Sequence, residues 1–160
     1  MTPFPFPPTW DRAGLESIGF SGFVPFTKIR EPRVLTMPKG RGIYVVIRQG
    51  AGQPTILPNS LAKGGWYDIA ELAGRWIADS PILYIGKADG SRGIHHRLKQ
   101  YARRGNSHTG GRAIWQLADA DDVLVAWAET PGELGRAVEK RWIARYVENY
   151  GRRPFANVND

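Results

Sequence analysis

Tyr44 and Tyr84 occupy two similar tripeptides, Gly42-Ile43-Tyr44 and Tyr84-Ile85-Gly86, each inside a short apolar run, residues 42–47 and 82–85. Runs of β-branched and aromatic residues have the composition of strands half buried in a sheet, so both phenols are expected on rigid elements. Lys87 follows Tyr84 by three residues, and Arg97 and Tyr101 stand at i and i+4 of a helical pattern, which sets their side chains side by side. An arginine fork matches two phosphate oxygens, which a lysine does less well. Taken singly, each tyrosine also reads as a strand residue, Lys87 as a surface lysine, and Arg97 as an exposed arginine beside a core tyrosine. A phenol with a pKa near 10 is only about 0.1% ionised at pH 7, so a tyrosine that takes up a proton needs positive charge or a metal-bound water beside it.

Glu139 could help supply that charge through a bound cation. On the helix expected at the C-terminal end, Val138, Trp142, Ile143, Tyr146, Val147 and Tyr150 span one broad apolar arc, and Glu139 falls in its middle. A carboxylate is costly to bury alone, so either a buried Arg or Lys pairs with it or it binds a cation at the floor of a cleft. Other ligand sets are weaker. His95 and His96 are adjacent, so they point apart on a helix, and Asp119, Asp121 and Asp122 lack the glycine and terminal glutamate of a calcium loop.

The elements that must position these residues follow from pattern and punctuation. Residues 1–41 are rich in proline and aromatics, including Phe4, Phe6, Trp10 and Phe20, and are expected to wrap onto the core as an ordered, largely extended segment with a short helix near 11–18. Residues 49–63 carry Gly50, Gly52, Pro54, Pro58 and Asn59 and read as loop, and 68–79 shows helical spacing that ends at Ser80-Pro81. A glycine-containing loop, 88–93, leads into a helix over about 94–104, stopped by Gly105; a short helical piece follows over 112–117 and a third strand over 123–128. Thr130-Pro131-Gly132-Glu133 has the form of a capping box and predicts the start of the last helix, which Gly151 ends. These elements predict a single α+β domain over 1–160: a three-stranded antiparallel sheet flanked by helices, with a core over 42–157 and an insertion over 49–80.

The 160 residues carry a formal net charge of +7 and no cysteine, which excludes disulfide scaffolds, zinc-thiolate sites and thiol nucleophiles. No apolar stretch approaches the ~20 residues that span a bilayer, so a cytoplasmic protein with no membrane partner is expected. Between Lys87 and Arg112 the bases Arg92, Arg97, Lys99, Arg103 and Arg104 and the histidines His95, His96 and His108 face a single acid, Asp89. A solvated helix face is the plain explanation of such a run. Its start directly at the second tripeptide favours nucleic acid, with Arg92, His96, Lys99, Arg103, Arg104, His108 and Arg112 as phosphate or base contacts.

The order of these parts, with Arg153-Pro154-Phe155-Ala156-Asn157 at the end, resembles the GIY-YIG nuclease superfamily over most of the chain. Residues 110–117 and 151–157 also look like those of an uncharacterised stand-alone bacterial branch. Most members have a hairpin-sized loop between the tripeptides, whereas here residues 45–83 intervene; long loops add little closure entropy, so strand pairing stays possible. The resemblance implies hydrolysis of DNA phosphodiester bonds with one divalent ion, Mg²⁺ or Mn²⁺. It gives Tyr44 the role of accepting a proton from the attacking water, Arg97 that of stabilising charge on the phosphoryl group, and Tyr84 and Tyr101 supporting roles. Glu139 matches the metal carboxylate, Lys87 a position that is often basic, and Asn157 the late asparagine that closes the site, with Asn159 as its rival. A non-catalytic nucleic-acid-binding module and a protein-interaction domain are the alternatives.

Overall fold

The run Gly42–Ile47 is apolar at every position because it becomes the interior strand of a sheet covered on both faces, where no position can be polar. The structure, a computed structural model, describes residues 2–32, 36–50, 52–105, 108 and 110–158. It is an α+β arrangement in which β1 (Ser21–Pro25), β2 (Gly42–Ile47), β3 (Ile82–Ala88) and β4 (Leu124–Glu129) form an antiparallel sheet in the order β1-β4-β2-β3. The two tripeptides pair directly, with Tyr44 opposite Gly86 and Val46 opposite Tyr84. This register explains the glycine of the second tripeptide. A Cβ on Gly86 would lie 2.4–2.6 Å from the outer atoms of the Tyr44 ring, so only glycine lets the phenol lie across the neighbouring strand.

The sheet has four strands rather than the expected three, because residues 21–25 pair with β4. Nothing in Ser-Gly-Phe-Val-Pro alternates, and a bulge between Gly22 and Val24, with Phe23 at φ 58°, breaks its register, so its strand character comes from β4 and not from local pattern. The residues before it wrap the molecule as expected. Helix α1 (Arg12–Ser17) is capped by Asp11, and Phe4 and Trp10 pack their rings on Trp142 at 6.0 and 5.6 Å. Helix α2 (Phe26–Arg30) follows β1.

Helix α3 (Ile69–Gly74) is shorter than the 68–79 expected. Arg152 donates to the carbonyls of Gly74 and Trp76, capturing acceptors that a longer helix would need, and Trp76 turns away to meet Phe155. Helix α4 (Gly93–Ala102) carries Arg97 and Tyr101; its first amides are taken by backbone carbonyls, Ile94 by Gly40 and His95 by Pro38. Short 3₁₀ turns, Arg112–Gln116 and Ala120–Asp122, lead to β4.

Helix α5 (Gly135–Tyr150) starts later than the capping-box pattern predicts and stops at Gly151, whose φ of 79° is the left-handed conformation of a helix C-terminus. Thr130 closes a turn through its Oγ1 to the Glu133 carbonyl, while the Glu133 carboxylate binds Arg141 and the Phe4 amide. The cap of α5 is Asp89, whose oxygens accept from the Gly135 and Arg136 amides at 2.6 and 2.8 Å. One face of the sheet packs on α4 through Tyr44, Val46, Tyr84, Leu98 and Tyr101; the other packs on α5 and the N-terminal segment through Ile43, Val45, Ile85, Trp142 and Tyr146. Among the described residues no helix is long and apolar enough to cross a membrane.

Candidate functional site at the edge of β3

The phenols of β2, β3 and α4 meet in one cluster. The Tyr44 ring centroid lies 6.0 Å from Tyr84 and 6.1 Å from Tyr101, and Tyr84 and Tyr101 are 5.8 Å apart. His108 joins them from the loop after α4, stacked on Tyr101 at 3.8 Å with rings 6° from parallel and its Nε2 hydrogen-bonded to the Tyr44 hydroxyl. The loop comes this close because it is glycine: a Cβ on Gly111 would lie 2.4 Å from the Tyr101 hydroxyl oxygen, which donates instead to the Gly111 carbonyl at 2.7 Å.

Burial disfavours charge on each of these rings. It pushes the Tyr44 and Tyr101 phenols well above the ordinary value and raises Tyr84 as well, while the Arg97 guanidinium pulls the other way on all three. Arg97 donates to the Gln100 side-chain oxygen at 3.2 Å. His108, 2% exposed, is lowered to about 3 by burial and then by Arg97. The ring is therefore neutral at physiological pH.

Beside this cluster, across the outer strand β3, stands Glu139. Lys87 on β3 brings its Nζ to 3.7 Å from Glu139 Oε1, with the glutamate side chain 18% exposed and the lysine 46% exposed. Burial raises the Glu139 carboxyl, Lys87 and Arg153 oppose the rise, and the Asp89 charge adds to it. The charge of Glu139 is felt at Tyr84 and Tyr44, which couples the two halves of the site. Glu139 lies in an open cleft of about 660 Å³ with Lys87, Arg136, Lys140 and Arg153, and a second cleft of about 520 Å³ runs from Lys87 past Arg92 and His96 to Arg97. Lys87 is shared by both, so the two clefts meet at the edge of β3.

That edge is closed elsewhere by the last segment. The Asn157 amide accepts from the Ile85 N–H and donates to the Ile85 carbonyl, both at 3.0 Å, taking the place of a further strand. Asn159 lies outside the described residues.

The basic run divides in two. Arg92, His96 and Arg97 line the cleft, and Arg103 is exposed on the turn after α4. Lys99 instead donates to the carbonyls of Ile29 and Glu31, Arg104 grips Asp121 at 2.8 and 3.0 Å, and Arg112 donates to the Gly64 carbonyl at 2.9 Å. His108, read from sequence as a loop contact to phosphate or base, sits within the tyrosines. Two residues that sequence reasoning did not place in the site are Asp89, which joins the strand-to-helix loop to the start of α5, and Arg153, which faces Glu139. No local signal marks the cap, since Asp89 and Gly135 are 46 residues apart.

Among the described residues no three His, Asp or Glu side chains gather in a metal-binding group, so a cation here would have Glu139 as its protein carboxylate and water or substrate oxygens as its other ligands. A lone carboxylate in an open, base-rimmed cleft fits a hard divalent ion that keeps most of its waters and shares substrate phosphates. No protein-family model, curated protein or solved structure matches the chain.

Proposed function

We propose that the chain is a metal-dependent endonuclease of the GIY-YIG type, hydrolysing phosphodiester bonds in DNA in the cytoplasm. The observation that carries this reading is the gathering of Tyr44, Tyr84, Arg97 and Tyr101 from three elements around one point, with Glu139 coupled to it across β3. The Arg97 fork holds the non-bridging oxygens of the scissile phosphate and offsets charge as it develops there. Tyr44 receives the proton of the attacking water, and Tyr84 packs beside it at 6.0 Å as a supporting phenol. Lys87, Arg92 and His96 seat the flanking phosphates, and Asn157 holds the edge strand on which Tyr84 and Lys87 stand. A Mg²⁺ or Mn²⁺ ion on Glu139 would supply Lewis-acid stabilisation of phosphoryl and leaving-group oxygens.

A second reading, a nucleic-acid-binding module without turnover, draws support from Tyr44 being only 1% exposed. Incubation with plasmid, single-stranded and branched DNA, with Mg²⁺ or with EDTA, separates the two. The nuclease reading expects nicked or linear products with Mg²⁺ alone, and a fall of on the order of 10²-fold or more in rate for Tyr44→Phe and for Arg97→Ala. Bound but uncut DNA under every condition would leave the binding module.

A further inference from the structure

Tyr44 poses a problem that its neighbours do not solve. To receive a proton from water its oxygen must give up the one it carries, yet burial opposes the phenolate. Arg97 can only donate, so it cannot take the Tyr44 proton, although its charge favours the phenolate. The Tyr84 ring lies beside that of Tyr44, centroids 6.0 Å apart, and a neutral phenol is a far weaker base than an imidazole. The remaining partner is His108 Nε2, and His108 Nδ1 is buried with no hydrogen-bond partner among the described residues. An imidazole with its proton on Nδ1 presents a lone pair at Nε2 to the Tyr44 O–H.

Resting on the nuclease reading, we propose that His108 is the acceptor of the Tyr44 proton, a positioning residue that fixes the Tyr44 hydroxyl and takes up its hydrogen as that hydroxyl receives one from water. The attacking water passes a proton to Tyr44 Oη while the Tyr44 proton moves to His108 Nε2. The water oxygen forms the new bond to phosphorus with its electron pair, and the bond from phosphorus to the leaving ester oxygen breaks with its pair going to that oxygen. Solvent protonates the leaving oxygen and the imidazolium returns its proton to solvent, so one water is consumed and His108 is restored.

The groups facing the ring set when this can happen. They are Tyr44 on β2, Tyr84 on β3 and Tyr101 and Arg97 on α4, with Glu139 on α5 acting through Tyr44 and Tyr84. Without substrate, the dry surroundings and, after them, the Arg97 charge oppose an imidazolium. A phosphate seated on Arg97 cancels that charge. An anionic substrate thus removes the second of the two oppositions and makes the transfer to His108 easier than in the free protein.

Two measurements decide the matter. In the wild-type protein, ¹⁵N chemical shifts of the histidine ring need no turnover: a proton on Nδ1 and an accepting Nε2 supports the inference, and a proton on Nε2 overturns it. In single-turnover cleavage of labelled duplex DNA, His108→Gln is expected to lose on the order of 10²-fold in rate. Its log rate should then climb with pH without levelling over the alkaline range in which the protein stays folded, as Tyr44 must ionise unaided, where the wild type is level. Imidazole added to His108→Gly should restore part of the rate. An unchanged rate and pH profile, or a loss with parallel profiles and no rescue, would overturn the inference. A wild-type protein inert toward DNA would instead contradict the nuclease reading, with the ring tautomer still deciding whether His108 can accept.

Discussion

Burial among three phenols and beside the Arg97 guanidinium keeps the His108 imidazole neutral down to a pH of about 3. In the unfolded chain the same ring binds a proton near pH 6.5. Between those values the unfolded state holds the extra proton, so this residue lowers stability as pH falls through 6.5 and ceases to do so below the folded value. Between pH 7 and pH 5 the loss is about 2 kcal/mol. His95 shifts in the same direction, so the diagnostic quantity is a difference between proteins. Urea denaturation at both pH values should show His108→Gln losing about 2 kcal/mol less than the wild type on acidification; equal losses would mean the ring is not held neutral. From sequence His108 reads as a phosphate or base contact, since Gly105 and Gly110 around it signal a turn and say nothing of depth. Tyr44, Tyr84, Arg97 and Tyr101 were legible because strand composition and i, i+4 spacing are local facts.

Among the elements, β2, β3, α4 and most of α5 could be read from local pattern, and the parts that could not are those set by distant partners. β1 exists through β4, α3 ends where Arg152 takes its carbonyls, and α5 begins where Asp89 meets its amides rather than at the Thr130 box. The Asp89 cap has a functional consequence, because it ties the loop after β3 to the helix that carries Glu139. Asp89→Ala leaves two α5 amides without their acceptors and should cost about 1–2 kcal/mol in denaturant midpoint analysis. If Glu139 supports turnover, the same variant should lose cleavage out of proportion to its stability, measured well below its melting transition. A loss of stability with full turnover would show that the start of α5 can shift without moving Glu139.

At the scale of the molecule the net charge of +7 says little until its distribution is known. Lys99, Arg104 and Arg112 are tied to backbone carbonyls or to Asp121, whereas Lys87, Arg92 and Arg97 line a cleft open to a polyanion and Arg103 is exposed beside it. Four phosphate contacts at about 0.9 ions each give a slope of roughly −3.6 for log affinity against log salt on duplex DNA. Arg103→Ala should make the slope shallower by up to ~1, whereas Arg104→Ala should leave it nearly unchanged. Fluorescence anisotropy over a range of salt reads both, and a flat response would reduce the basic run to a solvated face.

The account as a whole turns on Glu139, the carboxylate of one cleft, beside the Lys87 that both clefts share. The most direct measurement is Mg²⁺-dependent single-turnover cleavage of labelled DNA by Glu139→Gln beside its affinity for the same DNA in EDTA. The account predicts a rate lower by on the order of 10²-fold or more with affinity within about threefold, since the substitution removes the carboxylate charge and leaves the bases around it. A folded Glu139→Gln protein that cleaves as fast as the wild type would contradict it.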